Sequence, residues 1–118
     1  MKIYMRTVEG SPEMRALTKP LIYFDNKTKS HDFIPEGFKW DGSSSPKILQ
    51  GIFPRHRHPI ASCRHDYRCG RAKCDADRKF ADQEFKKDVA RTSWAITAQV
   101  GYMGVRIGAF FGVGSNYK

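Results

Sequence analysis

Hydrophobic and polar positions alternate over the first forty residues, and the apolar spacing becomes helical after a polar loop. The alternation predicts short β-strands, because successive side chains in a strand point to opposite faces. The predicted strands span residues 2–8, 20–24, 31–34 and 37–40. Since the strands precede the helices, the sequence predicts an α+β fold that begins with a small antiparallel sheet or meander.

A polar loop, residues 41–46, marks the change to helical spacing. Its Ser45-Pro46 pair is a typical helix start, with the serine as N-cap and the proline in the first turn. Four helices are predicted, over residues 46–52, 58–70, 75–92 (or 77–92) and 93–111. They would form a bundle of three to four helices that includes an antiparallel pair.

The chain length favours one domain with a single core, since 118 residues are too few for two domains. Within that domain we expect a β-rich region over residues 1–45, a helical region over 46–112 and a flexible tail over 113–118. The longest apolar stretch, near the C-terminus, contains Gln99 and Arg106 and several glycines. It therefore predicts a buried helix, with no transmembrane segment.

The charge balance is strongly basic, with 21 Lys and Arg against 12 Asp and Glu and a net charge of +9. Such a field favours an anionic lipid surface, a nucleic-acid backbone or an acidic protein face, although it can also serve solubility alone. No known DNA-binding motif accompanies the charge, so we expect no sequence-specific recognition of nucleic acid. The three cysteines are an odd number, which argues against a disulfide framework and for a reducing compartment.

The pair His65-Asp66 carries the sharpest chemical pattern in the chain. Neighbouring residues on a helix lie about 100° apart, so the two side chains face different surroundings. A histidine base needs a further group to fix its tautomer, usually a carboxylate on another element. Asp82 and Asp77, on the following helix, are the two candidates. The alternative is that His65 is a core histidine with satisfied hydrogen bonds and no chemical role.

The segment Cys63-Arg64-His65-Asp66, with Asp82 and Phe85 on the next helix, resembles the signature of bacterial and fungal secreted phospholipases A2. The resemblance implies that His65 is the general base for water. It also implies that Asp66 is a ligand of Ca²⁺ and that Asp82, or alternatively Asp77, orients the histidine. Calcium would then polarise the ester carbonyl.

A broader resemblance covers most of the chain. Five motifs occur in the order of the phage domain of unknown function 1353 family, namely IPEGF at 34–38, WDGSSSP at 40–46, HDY at 65–67, ADQEF at 81–85 and YMGVRIG at 102–108. The resemblance implies a tailed-phage origin and adds Asp41, Ser44 and Tyr67 to the candidate site. Since the N-terminus has no signal peptide, we expect the protein in the host cytoplasm or in the virion.

Two functional hypotheses follow. In the first, the protein is a virion or assembly component, and His65, Asp66 and Asp82 form a polar site that is mainly structural or binds a metal. Phage structural proteins are its expected partners. In the second, it is a calcium-dependent phospholipase or esterase-like hydrolase that uses His65 as general base.

Overall fold

The computed structural model describes residues 2–25, 30–41, 57–91 and 93–112. Within these residues, five β-strands precede three α-helices, which confirms the predicted α+β fold. The chain divides into two compact units, Met1–Asp41 and Gly42–Lys118, with the strands in the first and the helices in the second. That the whole chain is one domain stays a prediction, as does the flexible tail, which lies outside the described residues.

The strands of the N-terminal unit pair in two small antiparallel sheets. The first sheet has the strand order β1-β2-β5 and the second is the hairpin β3-β4. The strands span Met5–Val8 (β1), Ser11–Leu17 (β2), Leu21–Asp25 (β3), Ser30–Ile34 (β4) and Lys39–Trp40 (β5). The predicted antiparallel β-region is thus present, and β2 pairs with β5 across the intervening hairpin.

The sequence pattern did not predict β2. Its segment contains a proline and charged residues without clear alternation, which is more typical of a loop. In the structure Thr7 pairs with Arg15 while Val8 pairs with Ser11, so three residues of β2 bulge out between these pairs. The Arg15 guanidinium donates to the carbonyl of Pro12 at 2.8 Å and to that of Met14 at 3.0 Å. The bulge therefore accommodates the proline, and two of its three carbonyls accept hydrogen bonds from the Arg15 side chain.

A tight turn leads from β4 into β5. The N–H of Phe38 donates to the carbonyl of Pro35 at 3.2 Å, and the N–H of Gly37 donates to that of Leu17 at 2.9 Å. Gly37 has a φ of +88°, as the third residue of a type II turn requires. The turn is followed by Trp40, which is buried. Its ring stacks on that of Phe38, with 6.4 Å between the ring centroids.

The C-terminal unit contains three helices, Pro59–Arg71 (α1), Asp75–Ala90 (α2) and Ala95–Phe110 (α3). They match three of the four predicted helices to within a few residues. The predicted helix over 46–52 lies outside the described residues. No helix in the described part of the chain is long and apolar enough to cross a membrane.

Helices α1 and α2 pack antiparallel. Along α1 from its start to its end, the contacts fall on residues progressively closer to the start of α2. Arg64 contacts Asp88, His65 contacts Asp82 and Arg68 lies over Phe80. Small residues dominate the inner face of α3, which lets the helix approach α2 closely. The apolar core of the unit consists of Ala61, Phe85, Val89, Ala98 and Val105, with Tyr102 packed against it.

Replacing Gly37 by alanine is expected to destabilise the protein by about 1 kcal/mol, because an L-residue at positive φ brings its Cβ close to its own backbone. A Cβ at this position meets no other atom within 4 Å, so the cost is conformational. Urea denaturation measures it. Gly37→Asn is the control and should retain more stability, since asparagine tolerates this geometry. Equal stability of Gly37→Ala and wild type would contradict the turn assignment.

Candidate functional site

The predicted pair His65-Asp66 lies in the middle of α1. The imidazole of His65 points into the helical unit and is only 4% exposed, whereas the Asp66 side chain is 22% exposed. The ring of His65 packs against that of Phe85, with 4.9 Å between centroids. The two neighbours therefore occupy different environments, as their helical spacing predicts.

Asp82 of α2 is the carboxylate that the structure brings to His65. It is fully buried, and its Oδ1 lies 2.6 Å from Nε2 of His65. The same oxygen accepts a hydrogen bond from Nε of Arg78 at 3.0 Å. Its Oδ2 accepts one from a guanidinium nitrogen of Arg106 at 2.8 Å. Both carboxylate oxygens are thus engaged, and we call this set of four residues the Asp82 network.

The Asp82 network joins all three described helices. His65 comes from α1, Asp82 and Arg78 from α2, and Arg106 from α3. Arg78 is itself buried and donates a second hydrogen bond, 3.2 Å long, to the carbonyl of Val105 in α3. A further buried ion pair, between Arg64 and Asp88, connects α1 with α2. Buried polar contacts therefore join the three described helices in addition to the small apolar core.

The charge states in the network follow from burial and pairing. Burial alone would raise the pKa of Asp82, but its hydrogen bonds to His65 and Arg78 and their charges outweigh that effect and lower the pKa. For His65, burial lowers the pKa more than Asp82 raises it. Near neutral pH, Asp82 is therefore a carboxylate and His65 a neutral imidazole.

This charge distribution fixes the tautomer of His65. An ionised carboxylate can only accept hydrogen bonds, so Nε2 of His65 carries the proton that faces Asp82. Nδ1 is then left with a lone pair. Oδ1 of Asp66 lies 3.9 Å from it. Nδ1 of His65 and Oδ1 of Asp66 are thus two hydrogen-bond acceptors that are close enough for one donor molecule to bond to both.

Cys69 does not form a nucleophilic triad with this pair. Its Sγ lies 3.3 Å from Nε2 of His65, the same nitrogen that faces Asp82. A relay needs the nucleophile on one imidazole nitrogen and the carboxylate on the other. Burial also raises the pKa of the Cys69 thiol to about 12, so the sulfur stays protonated.

His65, Cys69 and Asp82 are nevertheless the one group of three potential metal ligands found in the described part of the chain, with ligand atoms within 4.8 Å of one another. A divalent cation there would lie beside the guanidinium groups of Arg78 and Arg106. Calcium additionally requires six to eight oxygen ligands, and this group offers a single carboxylate. The described residues therefore do not fit a Ca²⁺ site. Asp66, the predicted calcium ligand, lies outside the group.

The other predicted site residues have separate positions. Asp77 is exposed and accepts a hydrogen bond from the backbone N–H of Lys73 at 3.0 Å, at the start of α2, so it does not orient His65. Tyr67 is half-buried and lies under the guanidinium of Arg71, 4.3 Å from ring centroid to carbon. Asp41 follows β5 in the N-terminal unit. Ser44 lies outside the described residues.

Sequence reasoning missed Arg78 and Arg106 as neighbours of the pair. Arg78 lies four residues before Asp82, and residues at this spacing share a helix face. Arg106 is the only charged residue of α3. A lone arginine on an otherwise apolar helix is a sign that could have identified it, since a charge in such surroundings needs a partner.

A family model described as "Protein of unknown function (DUF1353)" matches residues 15–105. The chain belongs to this family. The matched region begins in β2 and ends in α3, so it contains His65, Asp82 and Arg78. Searches among curated proteins and among solved structures gave no match. The predicted family membership is thereby confirmed, while phage origin and the likeness to phospholipases remain proposals.

Replacing Asp82 by asparagine should destabilise the fold by about 3–5 kcal/mol, because it leaves Arg78 buried without its counter-charge. Arg78→Met is expected to cost a similar amount. The double variant Asp82→Leu/Arg78→Met should lose much less than the sum of the separate Asp82→Leu and Arg78→Met losses, since both charges leave together. Urea denaturation at neutral pH measures all four. Asp77→Asn on the same helix is the matched control and should cost about 1 kcal/mol or less. Additive losses would contradict a coupled network.

Proposed function

We propose that this chain is a small basic component of tailed-phage particles or of their assembly, and that its His65–Asp82 site is structural. The observation that carries the structural role is the closure of the site. Asp82 is fully buried with both oxygens engaged, and His65 is almost completely enclosed. A substrate would need access to groups that already bond to one another.

The energetics of the helical unit support a structural role. Among the described residues, its apolar core is built largely from alanine and valine, with Phe85 as the one buried aromatic member of that core. Small side chains bury little area, so apolar burial alone discriminates poorly between alternative packings of the helices. Directional contacts to one carboxylate from residues on all three helices favour a single arrangement.

The phage setting rests on the order of the five motifs and on the charge. A net charge of +9 suits contact with acidic faces of other particle proteins or with a nucleic-acid backbone. Neither contact requires sequence-specific recognition. In this proposal the protein acts in the host cytoplasm during assembly, or in the virion.

The experiment is purification of particles, and of their assembly intermediates, from cells carrying the phage or prophage that encodes the chain. Quantitative mass spectrometry should find the protein there in a fixed copy number, including in a strain that encodes His65→Gln, if that variant folds. Absence from both particles and intermediates would overturn the assembly role.

One observation favours a second candidate, a phospholipase- or esterase-like hydrolase. Nδ1 of His65, which carries the lone pair, lies 3.9 Å from Oδ1 of Asp66, and Asp66 is partly exposed. A water molecule between them could donate one proton to Nδ1 while Asp82 holds the opposite nitrogen. This is the geometry of a general base with its orienting carboxylate. The described residues supply no calcium site for it, so no step here depends on the metal.

Hydrolysis assays separate the two candidates. The purified protein is tested on phospholipid vesicles and on a soluble ester, with millimolar calcium and with chelator. The structural proposal predicts no hydrolysis in either condition and a loss of stability in His65→Gln. The hydrolase predicts turnover that His65→Gln abolishes while the urea midpoint stays unchanged. Turnover of that kind would overturn the structural proposal.

A further inference from the structure

Helix α3 has a second apolar face, which points away from the helical unit. Its residues, together with those flanking the helix, are between 43% and 82% exposed. We call this set the outer face of α3: Trp94, Ile96, Met103, Ile107, Phe110 and Phe111. Ile96, Met103 and Phe110 are seven residues apart, and Ile107 lies beside them, so they form one stripe along the helix.

The outer face is unusual because the opposite side of α3 is already buried. Ala98, Val105 and Ala109 pack inward against the unit, and the inward glycines contribute no side chains. A surface helix ordinarily carries polar residues on its outward side. A contiguous exposed apolar stripe of this size is typical of a binding surface.

The charges around the outer face point to an anionic partner. Arg106 is 36% exposed and is the only charged residue of α3. Lys86 of α2 lies over the ring of Tyr102, with 5.2 Å from the ammonium to the centroid. Residues 57–91 and 93–112 contain eleven Lys and Arg but only six Asp and Glu. A second copy of the chain would bring two positively charged units together, whereas an anionic surface complements them.

The length and the ends of α3 favour a lipid surface. Sixteen residues extend about 24 Å, and no described helix is suited to cross a bilayer. Aromatic residues mark both ends, with Trp94 before the helix and Phe110 and Phe111 at its close. Tryptophan at the end of an apolar face is typical of helices that lie in the boundary between headgroups and acyl chains.

We propose that the outer face of α3 docks the protein on an anionic phospholipid bilayer, with the helix parallel to the membrane plane. The apolar stripe enters the boundary region, and Lys86 beside Tyr102 approaches the lipid phosphates. This inference goes beyond the proposed function and does not depend on the role of His65.

Vesicle flotation with the full chain tests the proposal. The protein should float with vesicles of mixed phosphatidylglycerol and phosphatidylcholine and bind pure phosphatidylcholine at least about tenfold more weakly. Raising the salt should weaken binding, since screening reduces attraction to the anionic surface. The two tryptophans give an independent readout, because Trp94 is 82% and Trp40 only 1% exposed. Vesicles should shift the emission to shorter wavelength, and Trp94→Phe should remove the shift.

The variant Ile96→Ser/Phe110→Ser should reduce vesicle binding at least about tenfold, because both side chains lose their apolar insertion. The matched control is Ile22→Ser/Phe33→Ser, two exposed apolar residues that pair in the β3-β4 hairpin. It should bind like wild type. Circular dichroism and urea midpoints establish whether both variants keep the fold. If Ile96→Ser/Phe110→Ser fails to fold, the Trp94→Phe emission experiment tests whether the outer face of α3 enters the bilayer.

Three results would overturn the proposal. The first is no binding to anionic vesicles, or equal binding to neutral ones. The second is an equal loss of binding in the control variant. The third is a wild-type dimer by light scattering that Ile96→Ser/Phe110→Ser converts to a monomer without changing vesicle binding, which would assign the outer face to a second copy.

Discussion

The buried carboxylate of Asp82 is the constraint on which the helical unit depends. A charge without solvent is costly unless donors surround it, and this one receives hydrogen bonds from His65, Arg78 and Arg106. The donors come from all three described helices. The need to satisfy one carboxylate therefore sets the register in which those helices pack, while a core of small side chains fills the space between them.

The same constraint determines what His65 can do. Burial keeps His65 neutral although the Asp82 anion favours the charged form, and the accepting carboxylate fixes the proton of His65 on Nε2 and its lone pair on Nδ1. This arrangement also prevents Cys69 from acting as a nucleophile through the same imidazole. The network thus excludes a Cys69 nucleophile, keeps the histidine oriented, and leaves Nδ1 at 3.9 Å from Oδ1 of Asp66. A structural histidine and a general base would both have this geometry. The two roles differ in whether a water molecule or a substrate can reach Nδ1.

Sequence reasoning predicted the class of fold, three helices and the meeting of His65 with an aspartate of the next helix, because helical periodicity and the cost of an inward aspartate are local properties. The residues alone left Asp82 and Asp77 as alternatives, since both lie near the apolar stripe, and the resemblance to phospholipases favoured Asp82. Sequence reasoning missed Arg78 and Arg106, because arginines are usually solvated and burial depends on a distant partner. Strand β2 was missed because its pairing through a bulge is a tertiary effect that overrides its sequence.

The tautomer and protonation of His65 test this account most directly. Nitrogen-15 NMR of the histidine-labelled protein, with His65→Gln to assign the resonance, reports both imidazole nitrogens as the pH is lowered. The account predicts a neutral ring with the proton on Nε2 at neutral pH, and a pKa below the ordinary value of 6.5. The unfolded chain would then take up the proton first, so the fold loses stability as the pH falls below 6.5. An imidazolium near pH 7, or a proton on Nδ1, would contradict it.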